Sequence, residues 1–204
     1  MVGFIRKLFP QRSVRISAQV RERFARIATN PGRDQRRIGP AVAKELGYDA
    51  DEIDRLPASV TESFAGVGNP LSLGEIHSGE TVLDLGSGAG LDSIRAARKV
   101  GPSGRVVGID FTPEMIERAR RNVAAVGLVN VAFLEAAIEA IPLPDATADV
   151  ALCNGLFNLC PDKPKALAEV SRILKPGGRF LIADVMLEDR VTPDEVAHKG
   201  AWSD

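Results

Sequence analysis

A chain of 204 residues with 45% hydrophobic and 26% charged side chains holds enough apolar material for one sizeable core and excludes two large domains. No run approaches the roughly 18 apolar residues that a membrane-spanning helix needs, and Val2 to Ile5 is too short for a signal-peptide core; a cytoplasmic protein with no membrane partner is expected. The formal net charge is −1 but unevenly spread, since residues 1–40 carry ten Lys/Arg against Glu22 and Asp34 and the rest of the chain is net acidic.

In chain order, residues 1–12 read as poorly ordered. Val20, Phe24, Ile27 and Ala28 then recur at helical spacing, so a helix is expected from Arg15 to Ala28, docked on the acidic body rather than serving as a nucleic-acid arm. Asn30-Pro31-Gly32 breaks it, and short helices follow at Gly39–Leu46 and Asp51–Arg55. Residues 1–70 are thus expected to form a helical appendage, and residues 71–204 the main domain. From Glu80 onward strand and helix patterns alternate, which is the signature of a parallel sheet with helices on both faces. Strands are expected at Thr81–Leu85, Arg105–Ile109, Val131–Glu135, Val150–Asn154 and Arg179–Val185, with helices at Leu91–Val100, Pro113–Val126 and Pro164–Leu174. Pro113 suits a first turn after Thr112, Gly127 suits a helix end, and Pro176-Gly177-Gly178 reads as the stop of the last helix. The class is α/β, doubly wound and mainly parallel, with ligands beyond the carboxyl ends of the strands.

The chemistry concentrates in Thr81 to Gly90, a buried strand opening into Gly86, Gly88 and Gly90 and then a helix. Glycines let the backbone turn sharply and approach a ligand, and the helix N-terminus offers N–H groups to a carboxylate. The spacing is G-x-G-x-G, not the G-x-G-x-x-G of a dinucleotide site, and Asp84 lies inside the preceding strand. An acid there repels phosphates but suits a cationic amino group, which favours an aminoacyl sulfonium over a dinucleotide. Asp110 ends the next strand, placed to accept hydrogen bonds from both hydroxyls of a ribose.

These segments resemble the class I S-adenosylmethionine-dependent methyltransferases: LDLGSGAG (83–90), VVGID (106–110), TPEMIERAR (112–120), IPLPD (141–145) and LKPGG (174–178). Within that class, ELGYDADEIDRLP (45–57), GVGNP (66–70) and NLCPDK (158–163) are similar to segments of the arsenite methyltransferase group, in the same order. The resemblance implies a Rossmann-like methyltransferase fold binding S-adenosyl-L-methionine. Gly86, Ser87, Gly88 and Gly90 would surround its methionine part, with Asp84 at the amino group and Asp110 and Phe111 at the ribose. Ala137, Ile138 and Glu139 would lie at the adenine, and Asn154 at the methyl-bearing end. Cys153, Asn158 and Cys160 are the candidate acceptor-side residues. Where the arsenite group has metalloid-binding cysteines, this chain has Val67 and Gly155.

Methyl transfer is an in-line displacement dominated by alignment and desolvation, and a soft nucleophile needs no general base. Neither His77 nor His198 falls at a strand's carboxyl end, so no catalytic residue is assigned; both read as surface or structural. Cys153 and Cys160, seven apart, fit neither zinc-ribbon spacing nor a disulfide framework, so no metal is expected. The expected function is methyl transfer to a small-molecule acceptor, with quinone-type carbon methylation and a non-catalytic cofactor-binding dimer as the other readings. A nucleic-acid substrate is set aside, because one Trp and one Tyr make no aromatic-rich basic groove. Only 19 residues follow Val185, so the strands that normally complete such a sheet are expected to be missing from a truncated product, leaving an edge on which a homodimer could form.

Overall fold

The computed structural model describes residues 10–33 and 37–186. Its centre is a five-stranded, wholly parallel sheet in the order β3-β2-β1-β4-β5, formed by β1 (Thr81–Leu85), β2 (Arg105–Asp110), β3 (Val131–Glu135), β4 (Ala148–Asn154) and β5 (Leu174–Ala183). The order reverses at β1, which pairs with β2 on one side and β4 on the other, so the crevice of a doubly wound fold opens beyond Leu85. Strands buried on both faces are mainly apolar; Val82, Leu83, Leu85, Val150, Ala151, Leu152 and Cys153 are all buried, with Asp84 the buried acid among them.

Helices α1 (Pro10–Thr29), α2 (Pro40–Glu45), α3 (Ala50–Arg55) and α4 (Ala58–Thr61) precede the sheet. Three more, α5 (Leu91–Val100), α6 (Pro113–Ala125) and α7 (Lys163–Ile173), alternate with its strands. Helix α1 begins at Pro10, five residues before the expected Arg15, and buries Ile16, Val20, Ile27 and Ala28. Asp49 caps α3 by accepting from the Glu52 N–H at 2.7 Å, which sets its start. Helix α4 and the 3₁₀ turns Pro70–Ser72 and Phe157–Leu159 went unanticipated, being too short for any periodicity. Expectations for residues 1–9 and for His198 lie outside the described residues.

The last helix–strand junction differs from expectation. Helix α7 ends at Ile173 and β5 starts at once with Leu174, so Pro176-Gly177-Gly178 sits within the strand instead of stopping the helix. The register shifts here, Ala148 pairing with Leu174 and Val150 with Arg179. Among the described residues β5 is an edge strand, and Pro176 falls between these two pairings, at an irregularity where a proline is admissible. β5 also ends at Ala183, two residues short of Val185.

The segment before the sheet shares its core with the sheet's own helices. Ala43, Tyr48, Ile53, Leu56, Val60 and Phe64 cluster with Leu91, Ile94, Ile116 and Ala119. Arg118 of α6 rivets this layer: its guanidinium donates to Ser59 O at 2.8 Å, to Ala28 O at 2.5 Å and to the Glu62 carboxylate. Its side chain is only 10% exposed, so cutting it away strands two carbonyls and an acid. Arg118→Met is expected to cost about 2–4 kcal/mol and to lower the thermal midpoint on the order of 10 °C, read by calorimetry.

Candidate functional site

One cleft runs along the carboxyl ends of β1, β2 and β4 and holds about 1150 Å³, counting its open mouth. Its floor is the turn from β1 into α5. Gly86, Gly88 and Gly90 all have positive φ, at 70°, 51° and 90°, a region that costs other residues strain. The N–H groups of Gly86 and Ser87 donate to Ile109 O at 2.8 and 2.9 Å, and that of Gly88 donates to Asp110 Oδ2 at 3.0 Å. The turn is thus tied to β2 before any ligand arrives. At Gly88 a Cβ would meet nothing within 4 Å, so that face looks into open space.

Three carboxylates are buried around this floor. Asp84 accepts from Ser93 Oγ at 2.5 Å. Asp110 accepts from the Thr112 N–H at 2.8 Å as well as from Gly88. Asp92, in the first turn of α5, accepts from Tyr48 Oη at 2.8 Å and from Asn154 Nδ2 at 3.1 Å, with Arg95 Nη1 at 3.9 Å. Burial lifts all three above the usual carboxylate range, and Asp84, which also feels the Asp92 charge, is pushed up to about 7. Among the described residues no cation lies within salt-bridge distance of Asp84. Two further polar atoms in the cleft wall, Ser63 Oγ and Ser87 Oγ, are buried without a partner, and such groups are costly unless something else satisfies them.

The remaining expected residues divide. Phe111, Ala137, Ile138 and Glu139 line the cleft at the ends of β2 and β3, with Phe111 under the Arg21 guanidinium at 5.3 Å. Asn154 lines it too, but its amide is engaged elsewhere: Oδ1 accepts from the Val67 and Gly68 N–H groups at 2.8 and 3.1 Å, and Nδ2 lies near Tyr48 Oη, Gly68 O and Asp92 Oδ2. Gly66 is required by this latch, because a Cβ there would fall 2.4 Å from Asn154 Nδ2. Cys160 reaches the cleft with a thiol pushed up to about 12 by burial, hence neutral. Cys153 is buried behind the wall, its thiol raised further by the same cause. Asn158 stays outside the cleft, with Oδ1 buried and unpartnered. Val67 and Gly155 stand side by side: a Cβ on Gly155 would lie 3.2 Å from Val67 Cγ1.

Sequence reasoning missed Tyr48, Asp92 and Ser63. Tyr48 was inside a quoted segment and Asp92 two residues past the glycine turn, but only the fold brings them beside Asn154. The roof over the cleft comes from Ser17, Val20 and Phe24 of α1 and from Val60 to Gly66. Among the described residues, no group of three His, Cys, Asp or Glu could hold a metal ion, and no helix is long and apolar enough to cross a membrane.

A parallel 3-2-1-4-5 sheet with a glycine turn and two strand-end acids defines a Rossmann-like domain built for a small cofactor with a sugar and a cationic end. The comparisons narrow this class. A methyltransferase-domain family model matches residues 76–202, more than half the chain. An arsenite methyltransferase of Halobacterium salinarum is 41% identical over 192 residues, covering 87% of this chain and 49% of that protein. A ubiquinone/menaquinone biosynthesis C-methyltransferase of Enterobacter sp. is 41% identical over 111 residues, 53% of this chain and 44% of that one. The crystal structure of an arsenic(III) S-adenosylmethionine methyltransferase from Chlamydomonas reinhardtii superposes with a TM-score of 0.58 at 37% identity, covering 62% of this chain and 46% of that chain. The chain belongs to the class I S-adenosylmethionine-dependent methyltransferase family, whose cofactor is S-adenosylmethionine. It spans about half the length of the curated relatives it matches.

The buried acids make stability pH-dependent. An unfolded aspartate titrates near pH 4, so between about pH 4 and 7 the folded state holds protons that the unfolded state lacks, and stability falls as pH rises through that window. Urea midpoints of the ligand-free protein are expected to drop from about pH 5 to about pH 8, and Asp84→Asn is expected to flatten the slope. A midpoint that rises over this range in the unmodified protein contradicts the raised acids.

Proposed function

We propose that this chain transfers a methyl group from S-adenosylmethionine to a small acceptor that brings its own soft nucleophile. The observation that carries the cofactor half is Asp84: a buried carboxylate with no cationic partner among the described residues, facing a cleft where the Ser63 and Ser87 hydroxyls are also without a partner among them. Burying an uncompensated charge costs several kcal/mol, and a ligand carrying an ammonium group offsets that cost. The groups present suit the cofactor. Asp84 would hold its ammonium, the Gly86–Gly90 turn with Ser87 and the start of α5 its carboxylate, and Asp110 its ribose beside Phe111. Ile138 and Glu139 would flank the adenine. Asn154 would act by holding the Val67–Gly68 backbone, since its own amide is engaged there.

When bound, the cofactor supplies an electrophilic methyl on a cationic sulfur. The chain's part is to align and to dry the site. Val20, Phe24, Val60, Leu156 and Leu159 give the cleft an apolar lining, which suits an acceptor that sheds its water on binding. Among the described residues no histidine, lysine or arginine lines the cleft, and the carboxylates that do are assigned to the cofactor, so an acceptor atom with a ready lone pair fits best. Of the two cysteines, Cys160 lines the cleft and Cys153 does not. With valine and glycine where the arsenite group places cysteines, capture of trivalent arsenic by sulfur has one cleft-lining thiol to use, that of Cys160.

A second reading, a quinone-type carbon acceptor, draws on the same apolar lining and on the C-methyltransferase relative. A labelled-methyl assay against arsenite, selenite and a reduced quinone separates the two, and saturable S-adenosylhomocysteine binding without transfer to any acceptor points to cofactor binding without turnover. For the cofactor half, Asp110→Ala is expected to weaken S-adenosylhomocysteine by roughly tenfold to a hundredfold with the circular dichroism spectrum unchanged. An unaltered dissociation constant contradicts the ribose role.

A further inference from the structure

The polar network behind the glycine turn has more negative charge than its own cations balance. Asp84, Asp92 and Glu52 lie close together. Arg95 is shared between Glu52 at 2.9 Å and Asp92 at 3.9 Å, Arg98 reaches Glu52 at 3.6 Å, and Asp84 has neither. Asp92 is 7% exposed and lines the same cleft wall as Asp84, and each carboxylate lies within reach of the other's charge. Nothing in the cofactor site as described so far uses Asp92.

Its geometry is set from outside the sheet domain. The Tyr48 hydroxyl donates across both Asp92 oxygens, at 2.8 and 3.0 Å, and accepts from Asn154 Nδ2 at 3.0 Å. The phenol is itself fixed, with Arg95 over its ring at 4.5 Å and Phe64 edge-on at 5.2 Å. Burial and the neighbouring Asp92 hold the phenol protonated, so it stays a donor. A second feature marks the place as built for a ligand: Ser63 Oγ and Ser87 Oγ, both more than nine-tenths buried and unpartnered, line the same cleft. An α-amino acid presents an ammonium with three donors beside a carboxylate. The three N–H bonds diverge tetrahedrally, so one carboxylate cannot meet all three at once, whereas two carboxylates and a hydroxyl set around the group can.

We propose that Asp92 is a second carboxylate of the ammonium subsite, beside Asp84, and that Tyr48 is the positioning residue that aims it. The chain ahead of the sheet then helps select a cofactor with an intact amino acid end. This rests on the cofactor reading above and deepens it.

The test is calorimetric titration of the full chain with two nucleoside thioethers. S-adenosylhomocysteine carries the amino acid end, and methylthioadenosine lacks it. Asp92→Asn is expected to weaken the first about tenfold and Tyr48→Phe severalfold, with methylthioadenosine affinity unchanged in both. Tyr48→Phe keeps the ring contacts with Phe64 and Arg95, so it decides the matter alone should Asp92→Asn not fold. Equal losses for the two ligands would reduce Tyr48 and Asp92 to structural supports, and unchanged S-adenosylhomocysteine affinity would remove them from the site; either overturns the inference while leaving the cofactor reading in place. Failure of the unmodified protein to bind S-adenosylhomocysteine overturns both.

Discussion

Burial of Asp84 at the switch point of the sheet is the constraint around which the rest is arranged. A carboxylate in the central strand of a parallel sheet is expensive, because both faces of that strand are closed to water. Part of the cost is met internally: Ser93 donates to it, while the glycine turn is tied off on Ile109 and Asp110 instead of on the acid. What is left over is negative charge aimed into a cleft. In the function proposed, that remainder favours a cationic amino acid end over a phosphate.

The same economy explains why the helices ahead of the sheet are inseparable from the site. Asn154 closes β4 by gripping the Val67–Gly68 backbone, Tyr48 reaches Asp92, and Arg118 ties the ends of α1 and α4 to α6. Each link joins residues at least 44 positions apart. Roof and floor of the cleft are therefore held by polar contacts, of which those of Tyr48 with Asp92 and of Arg118 with Ala28 are buried, where low dielectric strengthens a satisfied bond and penalises a broken one. The end proposed for the acceptor is different in kind: Val20, Phe24 and Leu159 line it, with a neutral thiol in Cys160 and the Glu139 carboxylate near that thiol.

Much of this was legible in the amino-acid order alone. Strands β1 and β3 and helix α5 fall where alternation and punctuation placed them, because continuous apolar runs bounded by glycine have few other solutions in a parallel sheet. The glycine turn and both strand-end acids could be read from spacing. The start of β5 could not: Pro176-Gly177-Gly178 is ordinary helix-stop chemistry, and it sits within a strand here at an irregularity in the pairing with β4. Tyr48 and Asp92 were equally out of reach, since a tyrosine after a short helix and an aspartate in a first helical turn look like a core residue and a dipole partner. Their meaning comes from contacts that span the chain.

The central claim is that the cleft holds an amino acid end by its charge, and a crystal structure of the protein grown with S-adenosylhomocysteine tests it most directly. The account predicts the ligand's ammonium within hydrogen-bond distance of Asp84, its carboxylate at the start of α5 and its ribose hydroxyls on Asp110. A cleft left empty at saturating ligand, or a nucleotide lying there with phosphates against the glycine turn, would contradict it.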